Sequence, residues 1–298
     1  MIAGAVLQKS WDARAAANFV CGGIGTGLVV WAAIAQAFGL PWALAMTAGA
    51  ALVACGLLAV WLEIGRPLRS ANVLLNPRRS WMSREAAAAG ALFVLIAIAL
   101  AQHAPWASAG AALAALAFVG CQGRMLRAAK GVPAWRQPAM PALIVVSSLT
   151  DGLAAYVVLD AISGAAALRG AGLAGPMLLA LAVALRWLVW HRYRIGIAGA
   201  APRAVAEAVA RLGRDHDRAA AATIALAVAA GVALPFAPLA PTADSAALAM
   251  IALAAIATLG CGAWLRYGLI RKAAFLQGIA LPRLPVRGQP AIVTRGTR

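Results

Sequence analysis

Eight long apolar segments divide the chain, and they constrain its fold more than any other feature of the sequence. A helix needs about 20 consecutive apolar residues to cross a hydrocarbon core roughly 30 Å thick, and each segment is close to that length. The mean hydropathy of +0.84 is also far above that of ordinary soluble proteins. We therefore predict eight transmembrane helices, at about 17–38, 41–62, 86–103, 105–123, 139–163, 171–190, 219–240 and 245–265.

These helices leave little of the chain for anything else. They take more than half of the 298 residues, so we expect only short loops and no separate soluble domain. The 29 glycines suit the close helix–helix contacts that stabilise proteins in lipid. Charges precede the first segment and no small-residue cleavage site follows, so a retained helix is expected rather than a signal peptide. The sequence predicts an all-α polytopic fold in which residues 1–298 form one integral-membrane domain with a tail at 271–298.

The distribution of Lys and Arg predicts how the chain crosses the membrane. Eight spans put both termini and every second connection on one side, and that side receives all but one of the 26 Lys and Arg residues. Only Arg169 lies on the other side. Short loops rich in Lys and Arg mark the cytoplasmic face. We therefore expect both termini inside, in a bacterial inner membrane. The net charge of +17 then reflects topology and anionic lipid rather than nucleic-acid binding.

Several kinds of cofactor site are disfavoured by the residues that the spans lack. Haem held between helices usually needs facing histidines. Here His103 lies at an outer helix end, and His191 and His216 lie in inner loops. The same shortage disfavours a histidine-based metal site. The four cysteines are isolated in apolar segments and form no CxxC motif, so neither a metal site nor an iron–sulfur cluster is expected in this chain.

Asp151 is the acid that the sequence places nearest the middle of the membrane. It lies about 18 Å along the fifth predicted helix, and Ser147 and Ser148 extend a polar stripe from it by one turn. Ionisable residues at that depth are costly and usually functional. Asp151 is thus a proton relay, a member of a buried ion pair or an acid of a quinone pocket. A protonated side chain that hydrogen-bonds neighbouring helices is the structural alternative.

The inner side of the predicted bundle carries three further features. Val205, Val209 and Leu212 recur at helical spacing, which predicts a short amphipathic helix that lies in the membrane interface or contacts a partner. The proline-rich tail is expected to be disordered or an extended strap. Arginines near the inner ends of the spans are expected to extend to the interface. They are Arg124, Arg186 and Arg266.

The connection at 62–85 is unusually polar for this chain, with five arginines and two glutamates. One interpretation is an inner loop with a well-capped helix start, in which Ser83 caps the third helix and Glu85 lies in its first turn. The other is a quinone site at the cytoplasmic mouth of the bundle, because a quinone headgroup needs hydrogen-bond donors and a proton-exchanging group. In that interpretation Glu85 and Glu63 exchange protons. Gly23 and Gly25 admit a planar ring or a neighbouring helix. The other binding residues are Arg66, Asn72, Trp81, Ser83 and Arg84.

The same connection resembles a known family. The stretches EIGRP at 63–67, LLN at 74–76 and SWMSRE at 80–85 are similar to the membrane-anchor subunit of dimethyl sulfoxide reductase, within the polysulfide-reductase/NrfD-like superfamily. Weaker similarities are VPAW at 132–135 and RKAAFLQG at 271–278. Together with eight predicted helices, the resemblance covers essentially the whole chain.

The resemblance implies an anchor that exchanges electrons between the quinone pool and an iron–sulfur subunit. That subunit would in turn exchange electrons with a molybdenum- or tungsten-pterin catalytic subunit. The substrate would be a quinone, menaquinone or ubiquinone, and this chain would be a non-catalytic or quinone-reacting subunit. In the family, an acid matching Glu85 is linked to quinol binding. A family histidine matches Glu63, where a carboxylate can still exchange protons.

The predicted side of the motif-bearing loops indicates which type of anchor within the family this chain resembles. Dimethyl sulfoxide reductase members hold their catalytic subunits outside the cytoplasm, whereas the charge bias places the motif-bearing loops inside. A cytoplasmic partner is consistent with the family resemblance and with the charge bias, and the phenylacetyl-CoA:acceptor type of oxidoreductase has such a partner. The tail at 281–288 resembles that of anchors of this type. The alternative is a secondary transporter with an intramembrane acidic site at Asp151. Co-purification of larger metal-containing chains is expected for an anchor and not for a transporter.

Overall fold

Eight long helices make up most of the chain that the computed structural model describes, which is residues 6–62, 73, 76–164, 167, 174–233 and 241–276. In chain order they are α1 (Ala13–Ala37), α2 (Ala43–Trp61), α3 (Trp81–Gln102), α4 (Pro105–Ala128), α5 (Met140–Ile162), α6 (Ala174–Ala200), α7 (Arg203–Ala233) and α8 (Pro241–Arg271). Two short strands, β1 (Val6–Leu7) and β2 (Phe275–Leu276), lie outside the helices. The fold is all-α and polytopic.

Seven of these helices are long and apolar enough to cross a membrane, counted over the described residues. The exception is α7, where the sequence predicted a short amphipathic helix followed by a separate span at 219–240. The structure joins the two into one helix, and 234–240 lie outside the described part of the chain. The separation was wrong because no proline interrupts the chain from Arg203 to Ala233, so the helical hydrogen bonds continue through the charged residues.

The start of α3 differs from the sequence prediction in its capping residue. Ser80, not Ser83, is the N-cap, and its hydroxyl accepts a hydrogen bond from the Ser83 backbone N–H at 3.3 Å. Both serines have capping side chains, but only Ser80 has the extended backbone that a cap requires, with φ −116° and ψ 124°. The Arg84 side chain holds the preceding turn by donating to the carbonyls of Pro77 and Arg78, at 2.7 and 2.8 Å.

The helices pack as two groups of four, α1–α4 and α5–α8. Within the first, α1 packs on α2 and α4, and α3 pairs with α4; within the second, α7 packs between α6 and α8. The groups meet mainly where α1 crosses α5. Gly27 and Gly152 face each other there so closely that a Cβ on either residue would collide with the other helix backbone. This contact and the packing of α4 on α5 together place the two groups relative to each other.

The two strands tie the first and last described segments together. They pair antiparallel, with Val6 opposite Leu276 and Leu7 opposite Phe275. The buried Gln8 amide strengthens the tie by donating to the carbonyls of Trp11 and Ile270, at 2.9 and 3.1 Å. Next to it, Asp12 caps α1 by accepting from the Arg14 backbone N–H at 2.7 Å. The hydrogen bond from the Arg14 side chain lowers the pKa of the Asp12 carboxyl below its ordinary value.

Candidate functional site

A cavity of about 840 Å³ lies among α1, α2 and α3, beside the segment that leads from β1 into α1. Its wall is mostly apolar, with aromatic rings from Trp11, Phe19 and Phe93. Trp11 stacks at a tilt on Phe19, with ring centroids 5.7 Å apart. The size and apolar wall are typical of a site for a ring-bearing small molecule.

An irregular turn of α1 forms one side of this cavity. Residues Asn18–Gly22 make a π-helical turn inside the otherwise α-helical segment, and such turns are frequent at functional sites. The turn begins with Asn18 and Phe19, which both line the cavity. Gly22 lets α4 approach this turn, since a Cβ there would lie 3.1 Å from the Phe118 ring and 3.2 Å from the Gln122 amide nitrogen.

Glu85 supplies the carboxyl group of the cavity. It lies in the second turn of α3, not in the first turn as the sequence predicted, because the helix begins at Trp81. Its side chain is only 5% exposed and accepts a long hydrogen bond of 3.4 Å from the Asn18 amide. The Gln122 amide donates to the Asn18 backbone carbonyl, also at 3.4 Å. The side-chain oxygens of Asn18 and Gln122 are buried and find no partner among the described residues. Weakly bonded polar atoms beside a carboxyl group suit a ligand that both donates and accepts hydrogen bonds.

The cavity can be reached from the hydrocarbon side of the bundle. Three of its lining residues, Leu58, Trp61 and Met82, are among the exposed large apolar side chains on the outer surface of α2 and α3. A hydrophobic tail can therefore leave the cavity into lipid while the polar end of the same molecule meets Glu85. Ser10 and Trp11 lie at the side nearer the β1–β2 pair.

Other predicted site residues of α3 lie near the cavity without lining it. The Arg84 guanidinium stacks over the Trp81 ring at 4.3 Å, and Arg124 approaches the same ring at 5.6 Å. Ser83 is buried at 2% exposure. These residues pack at the start of α3, and none of them lines the cavity.

The predicted residues Glu63, Arg66 and Asn72 lie outside the described residues. The same connection nevertheless contributes to the site, because Val73 lines the cavity.

The two predicted glycines of α1 make helix contacts. A Cβ on Gly23 would meet the Arg266 guanidinium at 2.9 Å, and one on Gly25 would meet the carbonyl of Gly49 in α2 at 2.6 Å. Of the two roles predicted for them, the structure shows close approach of a neighbouring helix or side chain. Neither glycine lines the cavity.

Asp151 forms a buried ion-pair network at the centre of the second helix group. One carboxylate oxygen accepts from Arg186 of α6 at 2.6 Å, and the other accepts from Arg266 of α8 at 2.5 Å. Arg266 also donates to the Ser148 hydroxyl at 3.0 Å. Gly262 gives the carboxylate room, because a Cβ there would collide with it. Among the roles predicted for Asp151, the structure shows the buried ion pair.

The prediction that Arg186 and Arg266 extend to the interface was wrong. Their side chains are 0% and 1% exposed and turn inward, because a carboxylate at the same depth attracts them more strongly than distant water does. Arg124, the third residue of that prediction, is exposed. Two arginines share one acid, so the network carries one excess positive charge. The Nε and one Nη of Arg186 have no partner among the described residues.

Asn18 and Trp11 line the cavity and Gln122 supports Asn18 by donating to its backbone carbonyl, although the sequence did not predict these three residues. The site prediction within the spans rested on ionisable side chains and histidines, whereas two of these residues are neutral amides. A usable signal was present, since Asn18 and Gln122 are the polar interruptions at the inner ends of the first and fourth apolar segments. Within the described residues, no group of three or more His, Cys, Asp or Glu side chains is placed to hold a metal ion.

Comparison with known proteins adds no relative. No protein-family profile matches the chain. No curated protein sequence matches it either.

Proposed function

We propose that this chain is the membrane-anchor subunit of an oxidoreductase complex and that it binds quinone in the cavity at Glu85. The observation that carries the proposal is the pairing of a buried carboxyl and a buried amide, Glu85 and Asn18, in an apolar cavity that is open to lipid. A quinone likewise has a polar end with two ring oxygens and an apolar end with a long hydrophobic tail. The sequence resemblance to the dimethyl sulfoxide reductase anchor independently favours Glu85.

The proposed reaction needs a group that transfers protons at the ring oxygen. When a quinol is oxidised, it releases two electrons and two protons; the reverse reaction takes them up. Glu85 exchanges a proton with the nearer ring oxygen, and the Asn18 amide orients that oxygen. Trp11 and Phe19 hold the ring plane. The electrons pass to or from an iron–sulfur subunit, which exchanges them with a molybdenum- or tungsten-pterin catalytic subunit.

The same proposal specifies the membrane topology. The apolar part of α7 belongs to the eighth crossing, which the sequence predicts at 219–240, so both termini lie on the cytoplasmic side of a bacterial inner membrane. The Lys and Arg distribution supports this orientation. The pairing of β1 with β2 supports it as well, since it holds an early and a late segment together. The redox partners dock on this basic side.

The transporter alternative gains no support from the geometry of Asp151. Both of its oxygens are occupied by arginines, and the carboxylate is fully buried. A transport site needs a carboxylate that a substrate or coupling ion can reach.

Quinone binding to the purified chain tests the proposal directly. We expect ubiquinol-1 or menadiol, whose ring hydroxyls can donate a hydrogen bond to the Glu85 carboxylate, to quench tryptophan fluorescence under anaerobic conditions, since Trp11 and Trp61 line the cavity. Glu85→Gln should weaken binding by about tenfold, the factor expected for one lost charge-assisted hydrogen bond. Glu207→Gln is the matched control, because Glu207 is an exposed acid paired with Arg203 on α7. Equal binding by both variants would refute the assignment of Glu85.

Affinity capture from the native membrane tests the partner assignment separately. The tagged chain should bring down larger subunits that contain iron and either molybdenum or tungsten. In that complex Glu85→Gln should lower quinol-dependent turnover while leaving subunit content unchanged. Capture of the chain alone from gently solubilised membranes, with no associated metal, would contradict the anchor role.

A further inference from the structure

A second concave site lies between α6 and α7, away from the quinone cavity. It is a groove of about 380 Å³ near the turn that joins the two helices. On α6 the lining residues include His191, Arg194 and Ile195, and on α7 they include Val209 and Arg214. The members on each helix recur three and four residues apart, so each set forms one continuous helix face. The groove has an apolar floor and a basic edge.

The charges around this groove favour an anion. His191, Arg194 and Arg214 are its titratable lining residues, and none of the described lining residues is acidic. Two of the acids on α7 already have cationic partners. Asp217 accepts from Arg194 at 2.8 Å, and Glu207 accepts from Arg203 at 2.8 Å. Arg214 is exposed at the groove. It is therefore the cation best placed to meet a ligand.

The position of the groove matches the level of lipid headgroups. With 27 residues, α6 is about 40 Å long, so it extends beyond a hydrocarbon core of roughly 30 Å. Ile195, at 62% exposure, lies on the same side of α6 as the exposed Leu188 and Leu185, with the exposed cation Arg192 between Ile195 and Leu188. Trp187, which is also exposed, is a residue typical of the membrane interface. An acyl chain can lie along this side of α6 while its headgroup reaches the groove.

We propose that this groove binds an anionic phospholipid, with its phosphate at Arg214 and Arg194 and its acyl chains along the exposed face of α6. Basic pockets between helices at the cytoplasmic level are suited to such headgroups. The site shares no residue with the quinone cavity, so the two proposals stand or fall separately. A lipid bound at this position would contact both helices and stabilise the junction of α6 and α7.

Lipid retention by the purified chain tests the proposal. In native mass spectrometry, protein exchanged into micelles that contain equal amounts of dioleoyl-phosphatidylglycerol and dioleoyl-phosphatidylcholine should retain the former at least fivefold more. Arg214→Gln should abolish that preference. Arg211→Gln is the matched control, because Arg211 is an exposed arginine on the same helix that does not line the groove. Unchanged preference in Arg214→Gln, or equal loss in both variants, would overturn the proposal.

Two further measurements distinguish lipid binding from loss of fold and from binding of a free anion. Both variants should keep the wild-type thermal midpoint in lipid-free detergent, which shows that loss of lipid is not loss of fold. Inorganic phosphate at millimolar concentration should leave that midpoint unchanged, whereas dioleoyl-phosphatidylglycerol should raise it. If phosphate raises it equally, the site takes a free anion and the lipid assignment is wrong.

Discussion

At the scale of single residues, the ion-pair network at Asp151 has the largest consequence for stability. One carboxylate and two guanidinium groups are buried together, with side-chain exposures of 0 to 1%. Removing an ion from water is costly, and only the attraction within the network compensates it. The network is therefore less a source of stability than a set of charges that must all remain in place.

Replacing Asp151 alone should destabilise the protein strongly. Asp151→Asn leaves Arg186 and Arg266 as two buried cations without a counter-ion, and breaking a buried pair in this way typically costs about 3–5 kcal/mol. The measurement is unfolding of the detergent-solubilised chain by heat or denaturant. Asp12→Asn is the control, because Asp12 forms an exposed pair with Arg14 and should change the midpoint little.

A charge-free core separates this electrostatic effect from simple loss of packing. The triple variant Asp151→Leu, Arg186→Met, Arg266→Met removes every member of the network and should recover much of the stability lost in Asp151→Asn. If the triple variant is less stable than the single one, packing around these side chains rather than their charge holds the helices together.

The sequence could place Asp151 in depth but could not identify its partners. Its position along an uninterrupted apolar segment gave the depth directly. The two arginines lie 35 and 115 residues away in the chain. Which face of α6 and α8 turns towards α5 depends on packing among several helices, and the apolar pattern of those segments does not encode it. The default expectation for arginine near a helix end was therefore extension to water.

At the scale of helices, the crossing of α1 and α5 depends on the absence of two side chains. Gly27 and Gly152 bring the backbones into contact, which in lipid replaces the burial from water that drives helix packing in soluble proteins. The two helix groups also meet where α4 packs on α5, with Gly123 close to the Pro141 backbone, so the crossing of α1 and α5 is the main contact between them and not the only close one.

Gly152→Ala should weaken the contact between α1 and α5. Alanine favours a helix over glycine by up to about 1 kcal/mol, but the added Cβ would collide with Gly27, and overpacking of this kind costs about 1–3 kcal/mol. The net effect should be a lower thermal midpoint. Gly90→Ala is the matched control, because no atom of another helix lies within 4 Å of a Cβ there. That variant should be neutral or slightly stabilising, and an equal loss in both would contradict the contact.

Helix existence was predictable from the sequence, whereas the local deviations that shape the site were not. Apolar length alone identified the seven long apolar helices within the described residues, whereas α7 joins a segment predicted from its amphipathic pattern to one predicted from its apolar length. The π turn at Asn18–Gly22 adds one residue to a turn without any proline to mark it. Its energy is set by contacts with α4 at Phe118 and Gln122, which a single segment cannot reveal. The prediction of the cavity therefore rested on Glu85, the one ionisable residue in its described wall, and did not use the polar interruptions at Asn18 and Gln122.

At the scale of the whole molecule, the two helix groups separate the proposed chemistry from the buried charge. The Glu85 cavity is lined mainly by α1–α3, and the Asp151 network lies between α5, α6 and α8. The link between them is α1, whose Asn18 lines the cavity and whose Gly23 packs on the Arg266 guanidinium five residues later. A change at Arg266 can therefore reach the cavity through one helix.

Single-cysteine labelling tests the orientation of the whole molecule. In a background lacking Cys21, Cys55, Cys121 and Cys261, one cysteine is introduced in place of Lys130, Ser163 or Ser245, which are all exposed. A membrane-impermeant maleimide applied to intact spheroplasts should label Ser163→Cys, because the turn after α5 is proposed to face outward. Lys130→Cys should react only after permeabilisation, since it lies in a basic loop.

Ser245→Cys, near the start of α8, should react from outside if α7 crosses the membrane. Labelling of Ser163→Cys and Lys130→Cys from the same side would contradict the topology. Protection of Ser245→Cys until permeabilisation would mean that α7 lies along the inner surface and that seven helices cross.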